Sequence, residues 1–207
     1  NFKKVKHRIP MLSLSNAFDK GDLVNFLKKI KNYLSLDENE VIDFSAEPKI
    51  DGISASLTYK NGKFILGLSR GDGKEGEDIT ENLKTIKDIP KIIDQKDFPT
   101  DIDIRGEVFI KNDDFKKMDS KFANPRNAAS GSLRQKDSKV TSKIPLNFIA
   151  YTFGHTENLK IKSQTEFIKK LEKWGFKINP FNKKINNVDD LIKNHQYKEQ
   201  KRQSLDF

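Results

Sequence analysis

A chain of 207 residues, 35% hydrophobic and 33% charged, is long enough to bury a core, as one large domain or two small ones, and its recurring Phe, Ile and Leu exclude a disordered polymer. Its 39 Lys and Arg against 30 Asp and Glu give a net charge of +9, which suits polyanionic partners, although 33 of the cations are lysines and a solvated surface accounts for them equally. The lack of cysteine excludes disulfides and thiolate metal sites and is compatible with a reducing cytoplasm; His7, His155 and His195 lack zinc-ligand spacing; and no run approaches the ~20 apolar residues of a membrane span or the apolar stretch of a signal peptide.

The chain opens on Asn1, as a piece of a longer protein would. Residues His7 to Phe18 show neither a helical nor a strand period and read as an ordered loop. After Asp22, the spacing of Leu23, Phe26, Leu27, Ile30 and Leu34 predicts a helix with one apolar face. Ile53–Tyr59 and Phe64–Arg70 are β-rich and flank Asn61-Gly62, the preferred pair for a tight hairpin turn. In Asp101 to Ile110 polar and apolar residues alternate, which predicts a strand with Ile102, Ile104 and Val108 toward the core and Asp103, Arg105 and Glu107 on the other face. Another strand is expected through Phe148 to Phe153.

Asn124-Pro125 is a helix start, a capping side chain followed by proline in the first turn. Ser163 to Glu166 is a capping box opening a helix that ends near Trp174-Gly175, with Trp174 and Phe176 expected to pack in the core or at its edge. Asn187 can cap a last helix whose polar end, Lys198 to Arg202, is solvated. Strands interleave with helices without repeats, so the simplest architecture is one α+β domain on antiparallel sheet.

The chemistry is carried first by Glu47-Pro48-Lys49-Ile50-Asp51-Gly52. A lysine that attacks phosphorus must be unprotonated, yet at an ordinary pKa of about 10.4 only roughly 0.04% is neutral at pH 7. Burial, neighbouring cations or a carboxylate must free the amine, and Asp51 is placed to accept its proton. If Ala46 to Asp51 is extended, then Glu47, Lys49 and Asp51 share one side, and Gly52 lets the backbone turn into the hairpin. Lys-x-Asp-Gly alone is weak, since about 0.16 matches arise by chance in this composition. The plain alternative is a surface turn bearing a solvated lysine.

Further segments raise its standing. Met11 to Phe18, the Lys49 motif, Ser69 to Thr80, Arg105-Gly106-Glu107 and, most specifically, Asn124 to Gln135 (NPRNAASGSLRQ) closely resemble the bacterial NAD-dependent DNA ligases from about Val5 onward. The resemblance implies an α+β nucleotidyltransferase fold, ATP-grasp-like, with antiparallel sheets flanked by helices. It implies that the domain binds the AMP half of NAD, forms a lysyl-AMP with loss of nicotinamide mononucleotide, and passes AMP to the 5′-phosphate of nicked double-stranded DNA. On this likeness Lys49 is the adenylated nucleophile, Asp51 its orienting carboxylate or proton acceptor, and Glu47 the reader of the adenine edge. Ser13 and Leu14 resemble a nucleotide-contacting loop, and Arg70 and Glu107 match nucleotide-contacting positions, with Glu107 able to accept hydrogen bonds from ribose hydroxyls. The plain reading of Glu107 is a surface ion pair with Arg105 or Lys111.

Arg126 and Arg134, eight residues apart, would fall within about 80° of each other on a helix and can meet phosphates of NAD or of the nicked strand, or else brace that helix. The glycines of Arg70 to Gly76 lack the ending of a phosphate-binding P-loop and are expected to form a tight turn. Mg2+ is implied, held mainly by phosphates and water. A cytoplasmic monomer without membrane association is expected.

Residues 1–207 then correspond to the adenylation domain, incomplete at its C-terminus. The family's later Asp-Gly segment with its lysine, a further lysine beyond it, the N-terminal mononucleotide-binding module and the oligomer-binding, zinc, helix-hairpin-helix and BRCT domains are not in this sequence. Cations facing the α-phosphate stabilise charge in the transition state, so the piece alone is expected to be nearly inactive. Two alternatives keep the motif or discard it: an ATP-dependent polynucleotide ligase or capping guanylyltransferase, against which the Asn124 block argues, and a non-catalytic basic nucleic-acid-binding module.

Overall fold

A computed structural model of the chain describes residues 2–118 and 121–201. The first half carries β1 (Lys4–Lys6), α1 (Lys20–Leu34), β2 (Phe44–Ala46), β3 (Ile53–Lys60), β4 (Lys63–Ser69), β5 (Glu75–Glu77) and α2 (Thr80–Leu83). The second carries β6 (Asp101–Ile110), α3 (Asn112–Lys117), α4 (Pro125–Leu133), α5 (Ser138–Thr141), β7 (Leu146–Glu157), α6 (Gln164–Lys173), β8 (Lys183–Ile185) and α7 (Val188–Lys201). The mixture of helices and antiparallel sheet is the predicted α+β class. Two compact units form: one from the N-terminus to Leu12 and from Lys49 to Pro180, the other from Ser13 to Pro48 and onward from Phe181.

The larger unit is built on a four-stranded antiparallel sheet in the order β4-β3-β6-β7. Asn61 and Gly62 both take left-handed φ values, 48° and 72°, which matches the turn to the twist of the hairpin. On one face Leu57 and Tyr59 of β3 join Ile102, Ile104 and Val108 of β6 beneath Phe167 and Leu171 of α6, with Trp174 and Phe176 buried beside them. Each fully buried large side chain of this kind contributes about 1.5–3 kcal/mol. The Ser163 hydroxyl caps α6 by accepting from the Glu166 N–H at 3.2 Å, while Glu166 accepts from the Lys162 N–H at 2.8 Å, one residue before the amide a capping box uses. Gly175, at φ 92°, ends the helix where the sequence places its end.

The opposite face of the sheet is polar yet also buried. Asp103, Arg105 and Glu107 are 4%, 9% and 5% exposed and lie directly across from Thr58, Ser56 and Ser54. Alternation located these residues on a common face, but that face is covered and not open to solvent. Strand β1, paired antiparallel with β5, leads into a segment that lies over it: Arg8 binds Asp101 at 2.6 Å and Asp103 at 3.1 Å. Burial disfavours the Arg8 charge, but the two aspartates outweigh it and raise its pKa.

The smaller unit pairs β2 with β8, antiparallel, and joins α1 to α7 through a Lys20–Asp189 ion pair at 2.7 Å. Helix α1 begins before Asp22, because Asp19 supplies the cap by accepting from the Asp22 N–H at 2.9 Å. Its expected apolar stripe is only half covered: Leu23, Leu27 and Ile30 are partly buried, whereas Phe26 and Leu34 are exposed. Asn187 caps α7 as predicted, accepting from the Asp190 N–H at 2.8 Å. Lys198, expected in solvent, instead donates to the Phe181 carbonyl; Arg202 lies outside the described residues. Among the described residues no helix is long and apolar enough to cross a membrane.

Candidate active site

Strand β2 ends at Ala46, residues 47–50 have no regular structure, and Asp51-Gly52 bends into β3. Residues 47–51 therefore lie outside any strand. Pro48 supplies the reason, since it has no N–H to donate to a ladder. Glu47 belongs to the smaller unit, where it accepts from the Ser45 hydroxyl at 2.8 Å. Ser13 and Leu14 lie in the same unit, on the irregular segment before α1, with Leu14 mostly exposed.

Lys49 opens the main segment of the larger unit and is exposed. What fixes it is its neighbour: Ile50 is buried in a small apolar cluster with Phe109 and Ile149. Gly52 is required for space and not for a left-handed φ. A Cβ there would overlap the Val108 carbonyl oxygen and lie 3.0 Å from the Phe109 Cβ. The motif's glycine thus lets the Lys49 turn press directly onto β6, the strand that bears Glu107.

Glu107 accepts a hydrogen bond from the Ser54 hydroxyl at 2.8 Å. Burial pushes its pKa up; the Ser54 hydrogen bond and the charges of Lys49 and Arg126 act against this, and Asp51 reinforces it. The surface ion pair with Arg105 does not form, because the Arg105 guanidinium binds the Ile9 and Pro10 carbonyls. Beside Glu107, burial raises the Tyr151 phenol pKa, opposed by a Ser54 hydrogen bond and by Arg105 and Arg70. Ser54 and Tyr151 were not singled out from sequence, since a lone serine or tyrosine carries no motif; only the cross-strand register Ser54↔Glu107 brings the serine forward.

The Asn124 side chain caps α4, accepting from the Asn127 N–H at 2.8 Å, with Pro125 in the first turn as expected. Arg126 lies in that first turn, and Arg134 is the residue just past the last one. Arg126 Nη1 binds Asp51 Oδ1 at 2.9 Å, and Arg134 Nε binds Glu77 Oε2 at 3.0 Å. A cavity of about 200 Å³ joins them to Arg70, with Ser54, Ser69 and Ser130 in its wall. Arg70, Arg126 and Arg134 all line this cavity, and such forked donors, with hydroxyls beside them, have the chemistry that suits an anion. The Gly-rich loop forms a turn, with Gly71 and Gly73 at φ 57° and 91°, and Asp72 accepts from the Lys74 and Glu75 N–H groups, which lowers its pKa.

A possible metal-ligand group elsewhere, Asp101, His155 and Glu157, has ligand atoms within 4.8 Å of one another, but Asp101 already binds Arg8. It sits six residues along β6 from Glu107, about 20 Å away.

The whole chain, residues 1–207, matches the family described as the NAD-dependent DNA ligase adenylation domain. It is 65% identical over its full length to a protein named DNA ligase from Pelagibacter ubique (strain HTCC1062), of which it covers 31%. It is 45% identical over 214 aligned residues to the DNA ligase of Parvibaculum lavamentivorans and 44% to that of Rickettsia canadensis (strain McKiel), covering all of this chain and 30% of each relative. The chain thus spans about a third of the length of these curated relatives.

Proposed function

This chain belongs to the NAD-dependent DNA ligase adenylation domain family, and we propose that within its parent protein it takes AMP from NAD onto Lys49 for transfer to the 5′-phosphate of nicked DNA. The observation that supports this most is the convergence of Arg70, Arg126 and Arg134 on one cavity whose Ser54 wall is bonded to Glu107, the buried carboxylate that feels the Lys49 charge. The fold proposed is the nucleotidyltransferase fold, related to ATP-grasp architecture.

In this reading the Lys49 amine attacks the α-phosphorus of NAD. A P–N bond forms, the pyrophosphate P–O bond breaks, nicotinamide mononucleotide leaves, and the amine loses its proton. Asp51 is the proposed proton acceptor. Its carboxylate is held by Arg126, so phosphate binding at Arg126 would release it toward Lys49. Arg70, Arg126 and Arg134 offset the charge on the pyrophosphate or the DNA phosphate, and Glu107, already positioned by Ser54, accepts from ribose hydroxyls. Glu47, Ser13 and Leu14 are proposed to contact the adenosine half.

The cavity's donors suit phosphate oxygens. Mg2+ fits the site only through phosphates and water, since Asp51 is engaged by Arg126 and Glu107 by Ser54. When bound, it would neutralise phosphate charge. A monomeric, cytoplasmic enzyme follows from the same reading. The test is labelling of the full-length parent: adenylate should be taken from NAD and not from ATP, whereas labelling by ATP alone would overturn the donor assignment.

A further inference from the structure

The segment following β1 crosses the polar face of the sheet, and one buried side chain holds it there. Arg105 Nη1 donates to the Pro10 carbonyl at 3.2 Å and Nη2 to the Ile9 carbonyl. Arg105 Nε is buried without a hydrogen-bond partner among the described residues, and burial lowers the group's pKa. Room for the guanidinium comes from Gly154 on β7, where a Cβ would stand 2.8–3.0 Å from Nη2, Cζ and Nε.

The same segment then grips Arg70. The Met11 N–H donates to the Gly73 carbonyl at 2.8 Å, and the Met11 carbonyl accepts from Arg70 Nε at 3.3 Å. On its other side His7 Nε2 donates to the Arg70 carbonyl at 3.1 Å. Arg70 is therefore held by backbone and side chain through the stretch that Arg105 pins. A buried cation facing two neutral carbonyls carries a desolvation cost that apolar packing would avoid, so stability alone is a poor reason for it.

We propose that Arg105 is a positioning residue for the arginine-lined cavity: by binding the Ile9 and Pro10 carbonyls it fixes the Met11 carbonyl that aims the Arg70 guanidinium. This rests on the reading that the cavity takes the phosphates of the AMP donor. Arg105 lies between Asp103 and Glu107 on β6 and touches neither the cavity nor Lys49; its effect passes through the chain.

The test is a double-mutant cycle in the full-length protein, reading KM for NAD and the rate of lysyl-AMP formation. Arg105→Lys should raise KM about tenfold with kcat changed less than about twofold, Arg70→Ala should raise KM at least as much and also slow lysyl-AMP formation, and the double variant should be no worse than Arg70→Ala. If Arg105→Lys does not fold, Gly154→Ala, which retains the arginine but displaces its guanidinium, is read by the same criterion. Losses that multiply in the double variant, or a folded variant with unchanged KM, would overturn the proposal alone. A wild-type protein that takes no AMP from NAD would overturn the functional reading and this proposal with it.

Discussion

Asp51 Oδ1 and Arg126 Nη1 stand 2.9 Å apart, joining the turn after Lys49 to the first turn of α4, 75 residues later in the chain. Within the larger unit the pair links Lys49 to Gly52 with the distinctive stretch Asn124 to Gln135. Both partners are substantially exposed, so the pair contributes little to stability.

Arg126→Ala is expected to change unfolding free energy by less than about 1 kcal/mol, as for exposed ion pairs. Adenylation by the full-length protein should nevertheless fall by roughly 10²–10³-fold, the scale of losing a donor to developing charge. Denaturant titration and single-turnover labelling measure the two effects separately.

Arg8→Met should behave in the opposite way. Asp103 is buried, and once Arg8 is gone its one remaining side-chain hydrogen bond among the described residues is from the Thr58 hydroxyl, at 2.7 Å, with the Arg105 charge nearby. The expected cost is about 3–5 kcal/mol, the penalty for leaving a buried charge without its partner, read as a lowered denaturation midpoint.

Gly52→Ala forces the Lys49 turn away from β6, because the new Cβ overlaps the Val108 carbonyl. A loss of about 1–3 kcal/mol is expected from overpacking, together with slower labelling of Lys49. Calorimetry and the labelling rate check both.

Glu107→Gln separates stability from function by pH. The folded-state pKa of Glu107 is raised, so its favourable contribution is present below its unfolded pKa and is lost as pH rises through the folded value. Glutamine carries no charge and can still accept from Ser54. The variant should therefore melt above wild type at pH 7, with the difference vanishing toward pH 4. Nucleotide affinity should fall about 10–100-fold through loss of charge-assisted hydrogen bonds. Melting curves across this pH range and NAD titrations are the measurements.

Much of this architecture is legible wherever local chemistry decides it. Asn61-Gly62 specifies the hairpin, alternation specifies β6, and Asn124-Pro125 and Ser163 specify helix starts, because each rule concerns neighbours in sequence. Pairing of β1 with β5 is not legible: each strand has three residues, and about seventy residues separate them. Nor does alternation reveal that the Asp103–Glu107 face is buried, since its cover comes from the N-terminal segment. The boundary at Pro48–Lys49 has no compositional marker, as both units are assembled from separated segments.

The candidate site divides in the same way. Lys49, Asp51, Glu107, Arg70, Arg126 and Arg134 carry motif signals, and the structure brings them around one region of the larger unit. Ser54, Tyr151 and Arg105 act through register and burial, which sequence spacing does not express. Pro48 marks where β2 cannot continue, since it has no N–H to donate to a ladder.

Whether Lys49 carries the adenylate is read by mass spectrometry of the full-length protein after incubation with NAD and Mg2+, with the adduct mapped to a residue. One AMP is expected on the peptide containing Lys49, and none in Lys49→Ala. An adduct on a different residue, or one that persists in Lys49→Ala, would contradict it.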